Sequence, residues 1–352
     1  MTTPVIICDD SNMARKQMAR SLPPEWDVAV TFAGHGGEAL AALQAGKGDI
    51  LFLDLTMPVM DGYETLEAIR EQGLNTMVVV VSGDIQEQAR QRVIGLGAMD
   101  FLKKPVSKEV VEQLLSQFGI LQVTDDQSTS ATAHQPTSPT ITIDNTVTEL
   151  DSASTDHVNP FDCYREITNV AVGRAGDLLA RLTGEFVRLP IPKVAMLEPS
   201  ELQMALAFAD DDSVQAVCQG FIARGIAGEA LLLFSDSSFA SMAKLMKHNS
   251  VGVSAQLEVL TDVSGALLGA ILNGLGEQLD LSFSQGYPTI LGCHCHVSEL
   301  IAANSQRWQQ TLTIEVTYTI ENYDIFCDVL LLFTPSSLTA INARLDYFLN
   351  GS

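Results

Sequence analysis

Acidic residues stand at the ends of two apolar segments in the N-terminal third of the sequence. Asp9 and Asp10 follow PVIIC, and Asp54 follows ILFL. If these segments are neighbouring strands of a parallel sheet, their like charges meet at one edge and repel unless a divalent cation that prefers oxygen ligands, above all Mg²⁺, lies among them. Ser82 and Lys104 end two further apolar segments, and a hydroxyl and an ammonium beside a carboxylate suit the oxygens of a phosphoryl group. The pattern predicts phosphoryl chemistry on a metal-bound carboxylate.

A second pair of polar residues lies further along the chain, in the stretch REITNVAVG. Glu166 and Asn169 are spaced i, i+3, so they share one side of any helix that contains them. Upstream, Asn159 can act as an N-cap and Pro160 fits the first helical position. This signal, followed by apolar residues at helical spacing, predicts a helix over about residues 161–182.

The chemistry that suits this pair is the hydrolysis of an aspartyl phosphate. A carboxamide can orient an attacking water through its C=O and NH₂ without gaining or losing a proton, as glutamine does in GTPases. The carboxylate of Glu166 can pair with a lysine beside the phosphoryl group and set the register of docking. Small residues such as Gly173 keep the surface beside Asn169 low. We therefore expect a ridge that can enter the active site of another domain.

Residues 1–122 contain the elements that must position the first group of residues. Five apolar, strand-like runs alternate with amphipathic helical stretches from PVIIC to KEVVEQLLSQFG. This alternation predicts an α/β doubly wound fold, a five-stranded parallel sheet with helices on both faces. Ligands of such folds bind at the carboxyl ends of the strands, where the acidic residues fall.

Residues 123–158 differ sharply in composition from the segments on either side. They are rich in Ser, Thr, Asp and Pro, and they contain six acidic residues but no Lys or Arg. This composition predicts a flexible, disordered linker. A flexible coil of this length spans about 30 Å, so the domains that it joins can meet within one molecule.

Residues 159–352 contain an internal repeat. EALLLFSDSSFASMAKLM at 229–246 resembles DVLLLFTPSSLTAINARL at 328–345, each being an apolar strand, a Ser-Ser turn and a helix. The stretch around Glu166 has a counterpart in TDVSGALLGAILNGL at 261–275. Two copies of a helix, strand and helix unit predict a pseudo-symmetric α+β domain.

The composition excludes several classes of function. With 20 Lys plus Arg against 43 Asp plus Glu, the net charge of −23 repels phosphate backbones, so we expect no nucleic-acid partner. The six cysteines form no CxxC pair, which is typical of reduced thiols in the cytoplasm. No apolar run approaches the roughly 20 residues of a membrane span, so we expect neither secretion nor membrane insertion.

The N-terminal 122 residues resemble the receiver domains of bacterial two-component response regulators of the CheY type, which have a flavodoxin-like fold. The resemblance rests on CDDS, FLDLTMPVMDG, VSG and FLKKP. It implies that Asp54 takes a phosphoryl group from a histidine kinase, CheA-like in a chemotaxis system. It also implies that Asp9, Asp10, Asp54 and the backbone carbonyl of Thr56 bind Mg²⁺.

The same resemblance implies roles for residues nearer the end of the domain. Ser82 and Lys104 match the hydroxyl and the lysine that hold the phosphoryl oxygens. Phe101 matches the aromatic residue that swings inward on activation. The peptide bond between Lys104 and Pro105 is expected to be cis, as in the family.

Residues 160–350 resemble the CheC, CheX and FliY family of chemotaxis phosphatases, through the duplicated architecture and the ExxN helix. The resemblance implies that Glu166 and Asn169 are the catalytic pair. The second copy departs from the family pattern, because Asp262 stands where Glu is expected and Gly265 where Asn is expected. We expect the second helix to be catalytically silent.

The sequence as a whole predicts a cytoplasmic bacterial signalling protein: a receiver, a flexible linker and a CheC-like phosphatase. The phosphatase substrate is a CheY-like receiver, either the chain's own (in cis) or a separate protein (in trans). The alternative is a C-terminal binding module without hydrolytic activity, which localises the protein at a chemotaxis or motor complex.

Overall fold

The computed structural model describes residues 2–121, 159–198, 201, 213–246, 253–295, 311–323 and 325–350. The chain divides into two compact units. The first comprises residues up to Ser82 and from Gln91 to 158, and the second comprises Gly83–Arg90 together with the residues from Asn159 onward. The predicted linker, residues 123–158, lies outside the described residues.

Alternating strands and helices make up the described residues before 122. They are β1 (Thr3–Cys8), α1 (Asn12–Arg20), β2 (Val28–Ala33), α2 (Gly36–Gln44), β3 (Ile50–Leu53), α3 (Gly62–Gln72), β4 (Met77–Ser82), α4 (Glu87–Gly95), β5 (Asp100–Lys103) and α5 (Lys108–Gln117). The strands pair in the order β2-β1-β3-β4-β5, and every pair is parallel. The predicted five-stranded parallel sheet of the flavodoxin-like receiver fold is confirmed.

The strands of this sheet are buried on both faces, which explains why they read as continuous apolar runs. Ile6 and Leu51 pack into a core on one face, while Val5 and Phe52 pack into a second core on the other. The chain moves to opposite sides of the sheet after β1 and after β3. The connections that leave their adjacent carboxyl ends therefore diverge, and this topological switch point is where folds of this type bind ligands.

The second unit contains an eight-stranded sheet whose pairings are all antiparallel. Its path runs β10-β8-β9-β13-β12-β6, with β11 paired to β8 and β7 paired to β12. The elements are α6 (Pro160–Thr183), β6 (Val187–Arg188), β7 (Lys193–Leu197), β8 (Val214–Ala223), β9 (Ile226–Ser235), α7 (Asp236–Leu245), α8 (Val253–Leu279), β10 (Ser284–Gln285), β11 (Thr289–Cys295), β12 (Thr311–Ile320), β13 (Ile325–Phe333) and α9 (Ser337–Asn350).

The two copies of the repeated apolar run form neighbouring strands of this sheet. They are β9 and β13, which pair antiparallel with Leu231 opposite Leu330. A helix follows each strand, α7 after β9 and α9 after β13. The predicted pseudo-symmetric arrangement of the whole domain stays a prediction.

Helices α6 and α8 pack closely where Gly274 lies against Ala171. A Cβ added at Gly274 would lie 2.7 Å from the Cα of Ala171 and 2.9 Å from its Cβ. Because two helix backbones would have to separate to admit one methyl group, glycine is required at this crossing.

A matched pair of glycine variants tests this crossing. We expect Gly274→Ala to destabilise the packing of α6 on α8 by about 1–3 kcal/mol. Gly265→Ala, on the same helix with no atom within 4 Å of the added Cβ, should be neutral or stabilising by up to about 1 kcal/mol. Hydrogen–deuterium exchange of α6 and α8 peptides measures both effects locally. Equal exchange in the two variants would contradict the close packing.

One segment in the described part of the chain, Glu258–Leu279 of α8, is long and apolar enough to cross a membrane by length and composition. The most apolar stretch of this segment is 61% buried within the protein, as in a core helix. Such a segment is weak evidence for a membrane span.

Candidate functional site

The three predicted metal-binding carboxylates lie together at one edge of the parallel sheet. Asp9 and Asp10 follow β1, and Asp54 follows β3. These strands are direct neighbours, with Cys8 paired to Leu53, so their carboxyl ends meet. Carboxylate oxygens of the three aspartates lie within 4.8 Å of one another. Oxygen ligands at this spacing fit a hard divalent cation such as Mg²⁺.

Lys104 lies among these carboxylates and partly offsets their charge. Its Nζ is 2.6 Å from Oδ2 of Asp9 and 3.4 Å from Oδ1 of Asp54, and the residue is 5% exposed. Backbone amides hold the other oxygens, because Ser11 N–H donates to Oδ1 of Asp9 and Thr56 N–H donates to Oδ2 of Asp54. These contacts fix the orientation of both carboxylates.

The predicted phosphoryl-binding hydroxyl is positioned by the pairing of β4 and β5. Ser82 ends β4 opposite Lys103, and its carbonyl accepts the N–H of Lys104 at 2.9 Å. Ser82 is buried, with 1% exposure. The peptide bond between Lys104 and Pro105 is cis, as the resemblance implied.

Phe101 and Thr56 occupy the positions expected of the remaining receiver residues. Phe101 lies on β5, half-buried, and packs against the same core as Ile6 and Leu51. Thr56 follows Asp54 by two residues, on the loop that leaves β3. Their roles in activation and in metal binding stay predictions.

Two residues that support this site were not found from the sequence. Arg15 donates from Nη1 to the backbone carbonyl of Asp9 at 2.5 Å, which fixes the start of the loop after β1. Gly62 lies against the backbone of Asp54, because its added Cβ would be 2.3 Å from the Asp54 carbonyl oxygen and 2.7 Å from the Cα of Leu55. The sequence signal that could have indicated Gly62 was the Asp-Gly pair at the start of α3, together with the capping box of Asp61 and Glu64.

Replacing Gly62 by alanine should disturb Asp54 directly. The added methyl group meets backbone atoms that cannot rotate away, at a cost of about 1–3 kcal/mol. We expect looser packing of β3 in hydrogen–deuterium exchange and slower phosphate uptake from acetyl phosphate. Gly95→Ala is the control, because nothing lies within 4 Å of its added Cβ. Normal phosphate uptake by Gly62→Ala would contradict this placement.

Helix α6 carries the second predicted pair, and it forms for the reasons that the sequence indicated. The side chain of Asn159 accepts the N–H of Phe161 at 3.0 Å, and Pro160 is the first helical residue. Glu166 and Asn169 lie one turn apart on this helix. The predicted helix is confirmed.

The expectation of an accessible ridge at this pair is wrong. Glu166 is 5% exposed and Asn169 is 7% exposed. The low surface beside them is occupied within the same unit: a Cβ added at Gly173 would lie 1.9 Å from the carbonyl oxygen of Gly83. A Cβ added at Gly83 would lie 3.0 Å from the carbonyl oxygen of Asn169. The sequence predicted a low surface at Gly173 but gave no signal of what covers it.

The corresponding part of α8 differs in residue type and in exposure. Asp262 is exposed, and no atom lies within 4 Å of a Cβ added at Gly265. The position that corresponds to Asn169 is therefore a glycine with no carboxamide. Among the described residues, no side chain or neighbouring backbone packs against it. Catalytic silence of this helix remains an expectation.

Comparison with known proteins identifies the N-terminal part of the chain. Residues 5–116 match the response regulator receiver domain. Over 116 residues the chain is 35% identical to the chemotaxis protein CheY of Treponema pallidum, a match that covers 32% of this chain and 80% of that protein. The chain therefore belongs to the response regulator receiver family, which signals through phosphoaspartate in chemotaxis and other two-component systems. Receiver domains take phosphate from histidine kinases and bind Mg²⁺ at an acidic pocket.

Other similar proteins match only part of this chain. Protein-glutamate methylesterase/protein-glutamine glutaminase 3 of Geobacter sulfurreducens is 35% identical over 114 residues, which are 32% of this chain and 30% of that relative. FliY of Thermotoga maritima has a TM-score of 0.40 at 14% identity, over 52% of this chain and 94% of the FliY chain. A chain of the CheX-CheY-BeF3-Mg²⁺ complex of Borrelia burgdorferi has a TM-score of 0.31 at 32% identity, over 33% of this chain and 89% of its own.

Proposed function

We propose that this chain is a response regulator that is phosphorylated on Asp54. Its C-terminal domain is a CheC-like phosphatase that hydrolyses aspartyl phosphates. The donor is a histidine kinase, CheA-like if the system is chemotactic. The substrate of the phosphatase is a CheY-like receiver. With a net charge of −23, the protein is expected to act without a nucleic-acid partner. Its six cysteines, which form no CxxC pair, favour the reducing cytoplasm.

The acidic cluster is the observation that carries this proposal. Three carboxylates lie within 4.8 Å of one another, and the ammonium of Lys104 lies against two of them, Asp9 and Asp54. Asp9, Asp10 and Asp54, with the carbonyl of Thr56, are the residues that would hold Mg²⁺. When bound, the ion supplies positive charge that offsets the oxygens of a phosphoryl group.

Phosphorylation of Asp54 needs a positioned nucleophile and a charge-stabilised phosphoryl group. An oxygen of Asp54 attacks phosphorus, and the bond from phosphorus to the kinase histidine breaks. The ammonium of Lys104, already 3.4 Å from Oδ1 of Asp54, and the hydroxyl of Ser82 hold the transferred oxygens. These residues orient the acceptor and stabilise charge, which is most of what phosphoryl transfer requires.

Hydrolysis then returns the aspartate to its starting state. The oxygen of a water molecule bonds to phosphorus, the bond from phosphorus to the Asp54 oxygen breaks, and a water proton passes to the departing inorganic phosphate. The carboxamide of Asn169 orients the water through hydrogen bonds and keeps the same charge at all working pH values. Glu166 pairs with the lysine of the phosphorylated receiver and fixes the docking register.

The duplicated architecture supports the assignment to the CheC, CheX and FliY class. The repeated runs lie on adjacent strands with Leu231 opposite Leu330, and the two long helices α6 and α8 pack against each other at Ala171 and Gly274. Both features are expected of two copies related by an internal pseudo-twofold axis. The pair suited to hydrolysis stands on one copy only.

A second candidate function is favoured by the burial of Glu166 and Asn169. Side chains with 5% and 7% exposure can be structural, and the domain would then be a binding or localisation module without hydrolytic activity. The rate of phosphate loss from a phosphorylated receiver, the chain's own or an added CheY-like protein, separates the two functions. A hydrolase loses phosphate at a rate that depends on Asn169, and a binding module does not.

A further inference from the structure

The loop between β3 and α3 holds a valine in a backbone conformation that valine rarely adopts. Val59 has a φ of 70°, in the left-handed region. Among the described residues, the other non-glycine residues with positive φ are Asp280 and Asn322, whose side chains tolerate this region. A β-branched side chain does not, because its Cβ crowds the following carbonyl oxygen. Val59 is therefore a strained residue.

Contacts on both sides of Val59 impose this conformation. The N–H of Met60 donates to the carbonyl oxygen of Pro58 at 2.8 Å, which makes Val59 the centre of a γ-turn of the rare, strained kind. Met57 is 4% exposed within a core of the sheet, and Met60 packs against the same core. The carbonyl of Met60 also accepts the N–H of Gly36 at 3.1 Å. Strain that neighbouring contacts impose in this way is concentrated at functional sites.

The same turn presents apolar surface to solvent. Val59 is 85% exposed, and Pro58 before it is exposed as well. We call these two residues the β3–α3 tip. A single exposed valine is ordinary on a protein surface. Here, however, a strained backbone holds the side chain outward, which a residue without a function does not need.

The tip stands beside the proposed phosphorylation site. Its loop starts at Asp54 and returns to it, because the N–H of Gly62 donates to the carbonyl oxygen of Leu55 at 3.0 Å. Val59 is three residues from Gly62, so at most about 11 Å separates their Cα atoms. Even a transient protein interface of roughly 600 Å² per partner has a radius of about 14 Å. A protein that delivers a phosphoryl group to Asp54 is therefore large enough to cover the tip.

We propose that the β3–α3 tip recognises the protein phosphodonor, by packing against an apolar surface beside the phosphohistidine of a histidine kinase. This inference rests on the proposed phosphorylation of Asp54. Val59 takes no part in bond making: an oxygen of Asp54 bonds to phosphorus, the bond from phosphorus to the histidine nitrogen breaks, and that nitrogen takes a proton from solvent. Val59 is a specificity contact, whose burial in the complex helps to hold the donor in line with Asp54.

The first test compares a protein donor with a small one, in the full-length protein. Val59→Asn supplies a residue type that tolerates left-handed φ but removes the apolar surface. With an autophosphorylated histidine kinase that phosphorylates the wild type, we expect kcat/KM for transfer to fall about tenfold, mainly through KM. Uptake from acetyl phosphate should be unchanged, because that donor is too small to reach the tip. Val59→Ile, which keeps an apolar side chain, should accept phosphate at close to the wild-type level from both donors.

Val110→Asn is the matched control, since Val110 is a valine with 40% exposure on α5 rather than on this loop. It should leave both reactions unchanged, and a loss equal to that of Val59→Asn would overturn the inference. Transfer from the kinase to Val59→Asn at the wild-type rate would also overturn it. So would an equal loss with both donors, because the tip would then shape the Asp54 site itself. If Asp54→Asn takes up as much phosphate as the wild type, the proposed phosphorylation fails instead.

The second test measures the strain and needs no kinase for its first result. Val59→Gly removes the steric conflict at a φ of 70°, so the urea midpoint of the receiver's unfolding transition should rise. The same variant should lose transfer from the kinase as Val59→Asn does. Higher stability together with slower transfer from the protein donor is the result expected of a residue kept for recognition. A lower midpoint would show that Val59 is not strained and would overturn the inference.

Discussion

Asp54→Asn protein is expected to take up no phosphate from either a histidine kinase or acetyl phosphate. The amide that replaces the carboxylate is a poor nucleophile, and it also removes one of the three negative charges proposed to hold Mg²⁺. Phosphate incorporation in the full-length protein, measured with a labelled donor, is the test.

Asp49→Asn is the matched control for this variant. Asp49 directly precedes β3 and Asp54 directly follows it, so the two aspartates flank the same strand at opposite ends. Asp49 is exposed and lies far along the strand from the acidic cluster. Its replacement should leave phosphate uptake at the wild-type level. Uptake by Asp54→Asn at that level would mean that another residue accepts the phosphoryl group.

The acidic cluster could be predicted from the sequence because its position depends on local patterns. Each of its carboxylates follows an apolar run, and runs of that kind alternate with amphipathic helices, which restricts the fold to a parallel sheet. In such a sheet, strand ends such as Cys8 and Leu53 meet at one edge whatever the details of packing. The lysine and the serine follow from the same rule, since β5 and β4 are neighbours.

Features that depend on distant contacts could not be predicted in this way. The close approach of Gly173 to the carbonyl oxygen of Gly83 joins positions far apart in the chain, and neither glycine gives a periodic signal. The two-residue strands β6 and β10 are too short to show alternation. The accessibility of Asn169 was misjudged for a related reason: small residues indicate that something can approach a helix, but not that the space is open.

The repeated apolar runs were recognised, but their arrangement was not. Sequence similarity between the runs at 229–246 and 328–345 indicates like structure, whereas the direction of pairing depends on the connections. The structure places β9 and β13 side by side and antiparallel. In an isolated repeat, the edge of β9 or β13 that now faces the other strand would be unpaired. The pairing of β9 with β13 satisfies both edges.

Asn169→Ala is expected to slow phosphate loss from Asp54 at least about tenfold, a barrier increase of about 1.4 kcal/mol. Removing the carboxamide leaves the attacking water without its orienting hydrogen bonds. Asn169→Asp, nearly the same in shape, should also be slow, because a carboxylate lacks the NH₂ donors and repels the phosphoryl group. Asn273→Ala removes an exposed carboxamide from α8 and should leave the rate unchanged.

The most direct measurement of the central claim is the single-turnover release of inorganic phosphate from the full-length protein. The chain is phosphorylated with acetyl phosphate, the donor is removed, and free phosphate is followed over time in wild type and in Asn169→Ala. Our account predicts release that is at least about tenfold faster in the wild type. Equal rates in the two proteins would contradict a role for this carboxamide in hydrolysis and would favour the binding module.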